Sequence, residues 1–209
     1  MAITIACLHT AESNAPLFDT VAAALPGGAL RLTHKIRADL LREPTPEVLA
    51  EAAMLLRDLA WHADAVLLTC STIGAAAEQA QDSPRPVLRA DGALAEAATR
   101  AGGVVHVLYA APTTREPTRR LFEAAARAHE AKLVMHMVHG AWGLFQAGET
   151  RAYLGRIAAA AEGLEGRVVL AQASMAPAAG LMPGHPPLTV PGIGVMAAAR
   201  AAVQARKAG

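Results

Sequence analysis

Aromatic residues make up only 3% of these 209 residues, which removes the ring platforms that a single-stranded nucleic acid stacks on. Charge is sparse and balanced, with 19 Lys and Arg against 18 Asp and Glu, a net +1. No basic cluster is present to hold phosphates or anionic lipid, so neither nucleic acid nor membrane is expected as a partner. Cysteine occurs only at Cys7 and Cys70, too seldom for a disulfide scaffold, which points to a reducing, cytoplasmic compartment. The apolar start Ile3–Leu8 lacks a basic flank and is too short for a signal or membrane segment. The alanine-rich tracts are interrupted by Arg, Glu and Gln. No glycine pattern matches a dinucleotide or nucleoside triphosphate loop, so no cofactor is expected. His136 and His139, three apart in a predicted strand, point to opposite faces without a carboxylate or cysteine beside them, and no metal is expected.

What is present is an alternation of apolar runs and helical stripes. Strands are predicted at Ile3–Leu8, Ala29–Thr33, Ala65–Thr69, Pro86–Leu88, Val104–Ala110, Leu133–Val138 and Arg167–Ala171. Between them fall helices over Pro16–Ala24, closed by Pro26-Gly27-Gly28, and from Thr45 to Ala60, with Thr45 as cap and Pro46 in the first turn. Others are predicted at Gly74–Gln81, Ala93–Arg100 with Asp91 as cap, Thr118–His129, Glu149–Ala161 and Gly192–Lys207. Strands alternating with helices predict an α/β fold with mostly parallel sheets. Trp61 and Trp142 read as packing anchors, and Cys7 reads as core within the first strand.

Cys70 stands out, in Val66-Leu67-Leu68-Thr69-Cys70-Ser71-Thr72-Ile73-Gly74. An apolar run ends in a thiol, small hydroxylated residues and a glycine, which places the thiol at the carboxyl end of a parallel strand, where ligand sites form. Read alone, the motif fits a buried structural cysteine equally well. A displacement of 102 carries Cys70 onto Gln172, in Val168-Val169-Leu170-Ala171-Gln172-Ala173-Ser174-Met175. The same shift carries Ile3–Leu8 onto Val105–Ala110, Leu30–Leu32 onto Lys132–Val134, Glu47–Ala60 onto Glu149–Glu162, and Pro86–Leu88 onto Leu188–Val190. Recurrence in one order and register predicts two similar halves: residues 1–95 with the terminal helix 192–209 packed back on them, and residues 96–191.

These segments resemble the aspartate/glutamate/hydantoin racemase superfamily. Leu68-Thr69-Cys70-Ser71-Thr72 is similar to its first cysteine segment, and Leu170-Ala171-Gln172-Ala173-Ser174-Met175 to its second. Pro86-Val87 followed by Asp91 resembles the stretch after the first cysteine, and Val107-Leu108-Tyr109-Ala110 with Thr113-Thr114 resembles the opening of the second half. The resemblance implies two pseudo-symmetric α/β lobes with an active-site cleft between them, and cofactor-independent proton transfer. Members of that superfamily often form dimers, so a homodimer is the assembly the resemblance allows.

One departure decides the chemistry. Gln172 stands where the superfamily usually has its second cysteine, and an amide neither removes nor delivers a proton at useful pH. His9 stands where its amino-acid racemases tend to have an aspartate. The expected function is therefore proton transfer at the α carbon of a small carboxylic acid with Cys70 as the catalytic group, its thiolate favoured by the helix that follows. Substrate contacts are expected from His9, Thr10, Ser13, Ser71, Thr72, Thr113, Thr114, Gln172 and Ser174, and His185 is a candidate to close over the site. The alternatives are a single-cysteine decarboxylase, a nucleophilic-cysteine cis–trans isomerase, or a non-catalytic small-acid-binding protein.

Overall fold

A computed structural model describes residues 2–25 and 30–208. The Pro26-Gly27-Gly28 helix stop and Ala29, expected to open the second strand, lie outside the described residues. The chain divides into two compact units, the first comprising the chain up to Ala93 together with the stretch from Pro191 onward, the second running Leu94–Val190.

The first unit contains β1 (Ile3–His9), α1 (Ala15–Ala24), β2 (Leu30–Ile36), α2 (Pro46–Ala60), β3 (Ala65–Leu68), α3 (Ala75–Gln79) and β4 (Val87–Arg89). Helix α4 (Ala90–Thr99) carries the boundary between the units. The second unit continues with β5 (Gly103–Tyr109), α5 (Arg115–Ala128), β6 (Ala131–Met137), α6 (Ala141–Gln146), α7 (Thr150–Ala161), β7 (Arg167–Leu170), a 3-10 stretch Ala173–Leu181, and β8 (Leu188–Thr189). Helix α8 (Val190–Ala208) closes the chain. Each unit holds a four-stranded, all-parallel sheet, in the orders β2-β1-β3-β4 and β6-β5-β7-β8. No described helix is long and apolar enough to cross a membrane.

Local chemistry accounts for these elements. Thr45 caps α2 by accepting from the Val48 N–H at 3.4 Å, and Pro46 gives up only an N–H that the first turn leaves unpaired. Val48, Ala52, Leu56 and Ala60 then bury one stripe of α2 against the sheet, each large apolar side chain contributing roughly 1.5–3 kcal/mol. Helix α5 buries Thr118, Phe122 and Ala126 at four-residue spacing, while Glu116, Arg119, Arg120 and Glu123 pair along its outer side. The central strands β1 and β3 are covered on both sides, so Ile5–Leu8 and Ala65–Leu68 run continuously apolar rather than alternating. Ala6 and Leu8 point into the cluster built with α2 and α3. Leu67, on the opposite side, meets α8, where a Cβ at Gly194 would lie 2.9 Å from Ala90 Cβ and 3.5 Å from Leu67 Cδ2. Only a glycine lets that helix sit so close.

The internal repeat is real, but one displacement does not describe it. Leu68 and Leu170 end their strands as equivalents, whereas the strand they pair with aligns Leu8 with Leu108. Leu32 corresponds to Leu133, and Leu88 to Leu188. The connections absorb one- and two-residue differences, so the expected matches of Ile3–Leu8, Leu30–Leu32 and Pro86–Leu88 shift by one or two residues. Two further differences arise from local environment. Trp61, expected as a packing anchor, is 73% exposed at the end of α2. Helix α6 and the 3-10 stretch after β7 carry weak periodicity and were not predicted.

Candidate active site

Cys70 follows β3 at the carboxyl end of the first unit's sheet, where connections between parallel strands and helices leave room for a ligand. It is 9% exposed at the edge of the apolar cluster containing Ala6, Leu8, Leu40, Ile73 and Ala76. The neighbouring Thr69 ties β3 to β1 twice, its N–H and its hydroxyl donating to the Leu8 carbonyl at 3.1 and 3.0 Å. The hydroxyl is also 2.8 Å from His9 Nδ1. His9 is fully buried, edge-on to Phe18 of α1, and its Nε2 is 2.8 Å from His34 Nδ1 on β2. His34 Nε2 donates to the Asp19 carboxylate at 3.0 Å. Burial pushes the His9 imidazole down to about 4, the adjacent His34 adding to the effect and Asp19 opposing it. Cys7 is fully buried in β1, and burial, with Asp19 adding, pushes its thiol up to about 12. Of the two thiols, only Cys70 reaches the strand-end surface.

The glycine that ends the Cys70 motif has a specific cause. A Cβ at Gly74 would lie 2.3 Å from an Arg89 guanidinium nitrogen. That guanidinium is largely buried and forks onto Asp91 at 3.1 and 3.0 Å, while its remaining nitrogen donates to Glu78 at 3.1 Å. Asp91, expected to cap a helix opening at Ala93, instead lies within the first turn of α4, which begins at Ala90, and accepts from the Gly92 N–H at 2.9 Å. Arg89 was not singled out from sequence, because its partner glycine lies fifteen residues away. Helix α3 spans only Ala75–Gln79, so the macrodipole offered to the loop is that of little more than one turn. Ser71 and Thr72 are half-buried beside Cys70, Thr10 is buried just beyond His9, and Ser13 is exposed on the 3-10 turn that follows.

The second unit shows what replaces the thiol. Ala171 N–H donates to the Leu108 carbonyl as Thr69 N–H does to Leu8, so Gln172 and Cys70 occupy equivalent positions in their sheets. Gln172 Oε1 accepts from the backbone N–H groups of Ala110 and Ala111 at 2.6 and 2.9 Å. The amide carbonyl is thereby spent on closing the end of β5. Among the described residues no side-chain acceptor meets the corresponding N–H groups of Thr10 and Ala11 in the first unit. Thr114 is buried and donates to the Ala111 carbonyl at 2.8 Å, whereas Thr113 is exposed. Ser174 Oγ is 2.9 Å from the Tyr153 hydroxyl, and burial pushes that phenol up to about 12. His185 stands elsewhere. It borders a cavity with Gly103, Val104, Arg167 and Pro186 at the amino ends of β5 and β7, the opposite end of that sheet from Gln172. The segment between the 3-10 stretch and β8 returns the chain to the amino end of the sheet, which takes His185 away from the carboxyl strand ends.

No protein-family model matches the chain, and no curated protein matches it in sequence. Solved structures do. An aspartate racemase from Picrophilus torridus superimposes with a TM-score of 0.71 at 10% identity, covering 99% of this chain and 94% of that one. Allantoin racemase from Klebsiella pneumoniae gives 0.68 at 14%, covering 97% and 89%. Glutamate racemase from Thermus thermophilus, solved with β-chloro-D-alanine, gives 0.63 at 16%, covering 98% and 82%. Two four-stranded parallel sheets flanked by helices, in this order and over this length, give the chain the fold of the aspartate/glutamate racemase superfamily.

Proposed function

We propose that this protein is a cofactor-independent enzyme of racemase type, transferring a proton at the α carbon of a small carboxylic acid with Cys70 as its one acid–base group. The observation that carries this reading is the position of Cys70 at the carboxyl end of β3, next to the Thr69–His9 hydrogen bond, while the other thiol is sealed inside β1. A thiolate there would take the α hydrogen. The N–H groups of Thr10 and Ala11 and the hydroxyls of Ser71 and Thr72 are the donors available to the carboxylate and to the enolate-like charge that develops. Structures of the same fold carry the names aspartate, glutamate and allantoin racemase, which supports a small acid or ureide as the substrate class.

Gln172 supports one-base chemistry. Its amide is neither acidic nor basic enough to move a proton at useful pH, and its carbonyl oxygen is engaged by two backbone donors. Ser174 shares its hydroxyl with a phenol whose ionisation burial suppresses. The reaction expected is exchange of the α hydrogen with retention, the proton returning to the face it left. The same one-faced delivery suits protonation of a carbanion left by loss of carbon dioxide, which makes a decarboxylase the second reading.

The test is proton NMR in D₂O with aspartate, glutamate, allantoin, hydantoins and substituted malonates, comparing the protein with Cys70→Ala. Loss of the α-proton signal without inversion, absent in Cys70→Ala, is the expected result. Loss of a carboxyl group from a malonate would select the second reading. Exchange that persists in Cys70→Ala, or silence on every substrate while small diacids still protect Cys70 from alkylation, would sink the enzymatic reading in favour of a binding protein.

A further inference from the structure

Two imidazoles and a thiol meet where β1 pairs with β2. Cys7 stands opposite His34 in the register, and His9 follows Cys7 on the same side of β1. One donor atom from each lies within 4.8 Å of the other two. The outer nitrogens of both rings are committed. His34 Nε2 faces the Asp19 carboxylate, which only accepts, so that nitrogen carries a hydrogen. His9 Nδ1 faces the Thr69 hydroxyl, which either donates to it or, when it donates to the Leu8 carbonyl, accepts from it. His34 Nδ1 therefore presents a lone pair 2.8 Å from His9 Nε2. A hydrogen on His9 Nε2 fills that gap in the metal-free protein, and its transfer to Nδ1 frees both inner nitrogens for a metal ion. A carboxylate or hydroxyl holding the outer N–H of a histidine is also how metal sites fix the tautomer and aim of their ligands.

We propose that Cys7, His9 and His34 form a binding site for one divalent ion of the zinc class, with water completing the coordination. Two imidazoles and a thiolate suit that class, whereas harder ions such as magnesium and calcium take oxygen donors. On binding, the thiol proton leaves to solvent, the His9 hydrogen moves from Nε2 to Nδ1, where the Thr69 hydroxyl accepts it, and the His34 N–H stays on Asp19. Tetrahedral zinc, with Zn–N near 2.0–2.1 Å, needs the inner nitrogens to separate to roughly 3.3 Å, a small rotation of each ring. The ion would enter past the His34 side chain, which is 18% exposed on the edge strand β2. Cys70 packs with Ala6 and Leu8, which point to the other side of β1, so it is not a ligand. The site does not depend on the racemase-type reading.

Titration of the chelator-stripped, full-length protein with cobalt(II) tests it. One equivalent should bind, with a thiolate-to-cobalt charge-transfer band and d–d bands of tetrahedral intensity, and zinc should bleach both. Cys7→Ser should remove the charge-transfer band, His34→Asn should weaken binding at least tenfold, and Cys70→Ser should leave the spectrum unchanged. A band that survives Cys7→Ser or vanishes in Cys70→Ser would overturn the site, as would absence of stoichiometric binding. If Cys7→Ser does not fold, His34→Asn carries the decision, and unchanged cobalt affinity there refutes the proposal.

Discussion

His9 Nδ1 lies 2.8 Å from the Thr69 hydroxyl, so the end of β1 is tied directly to the segment that delivers Cys70. Removing that hydroxyl leaves a buried imidazole nitrogen without its partner. Thr69→Val should destabilise the protein by about 1–3 kcal/mol in urea denaturation, while Thr69→Ser, which keeps the donor and acceptor, should cost much less. Equal stability of the two variants would mean the hydrogen bond has no net worth.

The Gln172 carbonyl oxygen holds the end of β5. Gln172→Ala leaves the N–H groups of Ala110 and Ala111 without their side-chain acceptor and should cost about 1–2 kcal/mol. Gln172→Glu restores an acceptor, now charge-assisted, and should recover most of the loss at neutral pH. Thermal melts of the two variants side by side check this.

Gly74 gives Arg89 its place. Gly74→Ala puts a methyl where the guanidinium lies and must disturb its bonds to Asp91 and Glu78, at a cost of about 1–3 kcal/mol. Arg89→Ala alone should be harmful too, because it leaves Asp91 as a buried, unpaired carboxylate. The double variant should therefore be less destabilised than the sum of the two singles, which a mutant cycle measures.

Asp64 gives a pH dependence with a definite sign. Its hydrogen bonds with Arg206 of α8, with a further one from the Thr4 N–H, hold the carboxyl below its ordinary value in the folded state. A folded value below the unfolded one adds stability that is fully present above the unfolded value, near 3.9, and fades as pH falls through the folded value. The melting difference between wild type and Asp64→Asn should thus be constant near neutrality and shrink below about pH 4. A difference that grew on acidification would refute the pairing.

Much of the fold was legible. Thr45-Pro46 and the stripe after it predict α2 because capping and amphipathic spacing act within a few residues. The apolar runs predict β1 and β3 because a parallel strand covered on both sides needs apolar residues throughout. The site was legible only in part. Cys70 announces itself by ending such a run, yet nothing near Gly74 in the chain reveals Arg89, and nothing near His9 reveals His34 or Asp19. The uniform 102-residue displacement failed for the same reason, since connection lengths change without disturbing the strands.

What the sequence determined by itself is the order of strands and helices, the doubling of that order, and the placement of Cys70 and Gln172 at equivalent strand ends. All three follow from short-range periodicity and from breakers close to the residues they affect. Which groups become partners was decided only by tertiary structure. The register of β1 against β2 sets Cys7 opposite His34, and the close of β5 engages the Gln172 carbonyl as a backbone clamp. Hydrogen bonds select by distances of a few tenths of an ångström, and those distances are set only after remote segments have packed.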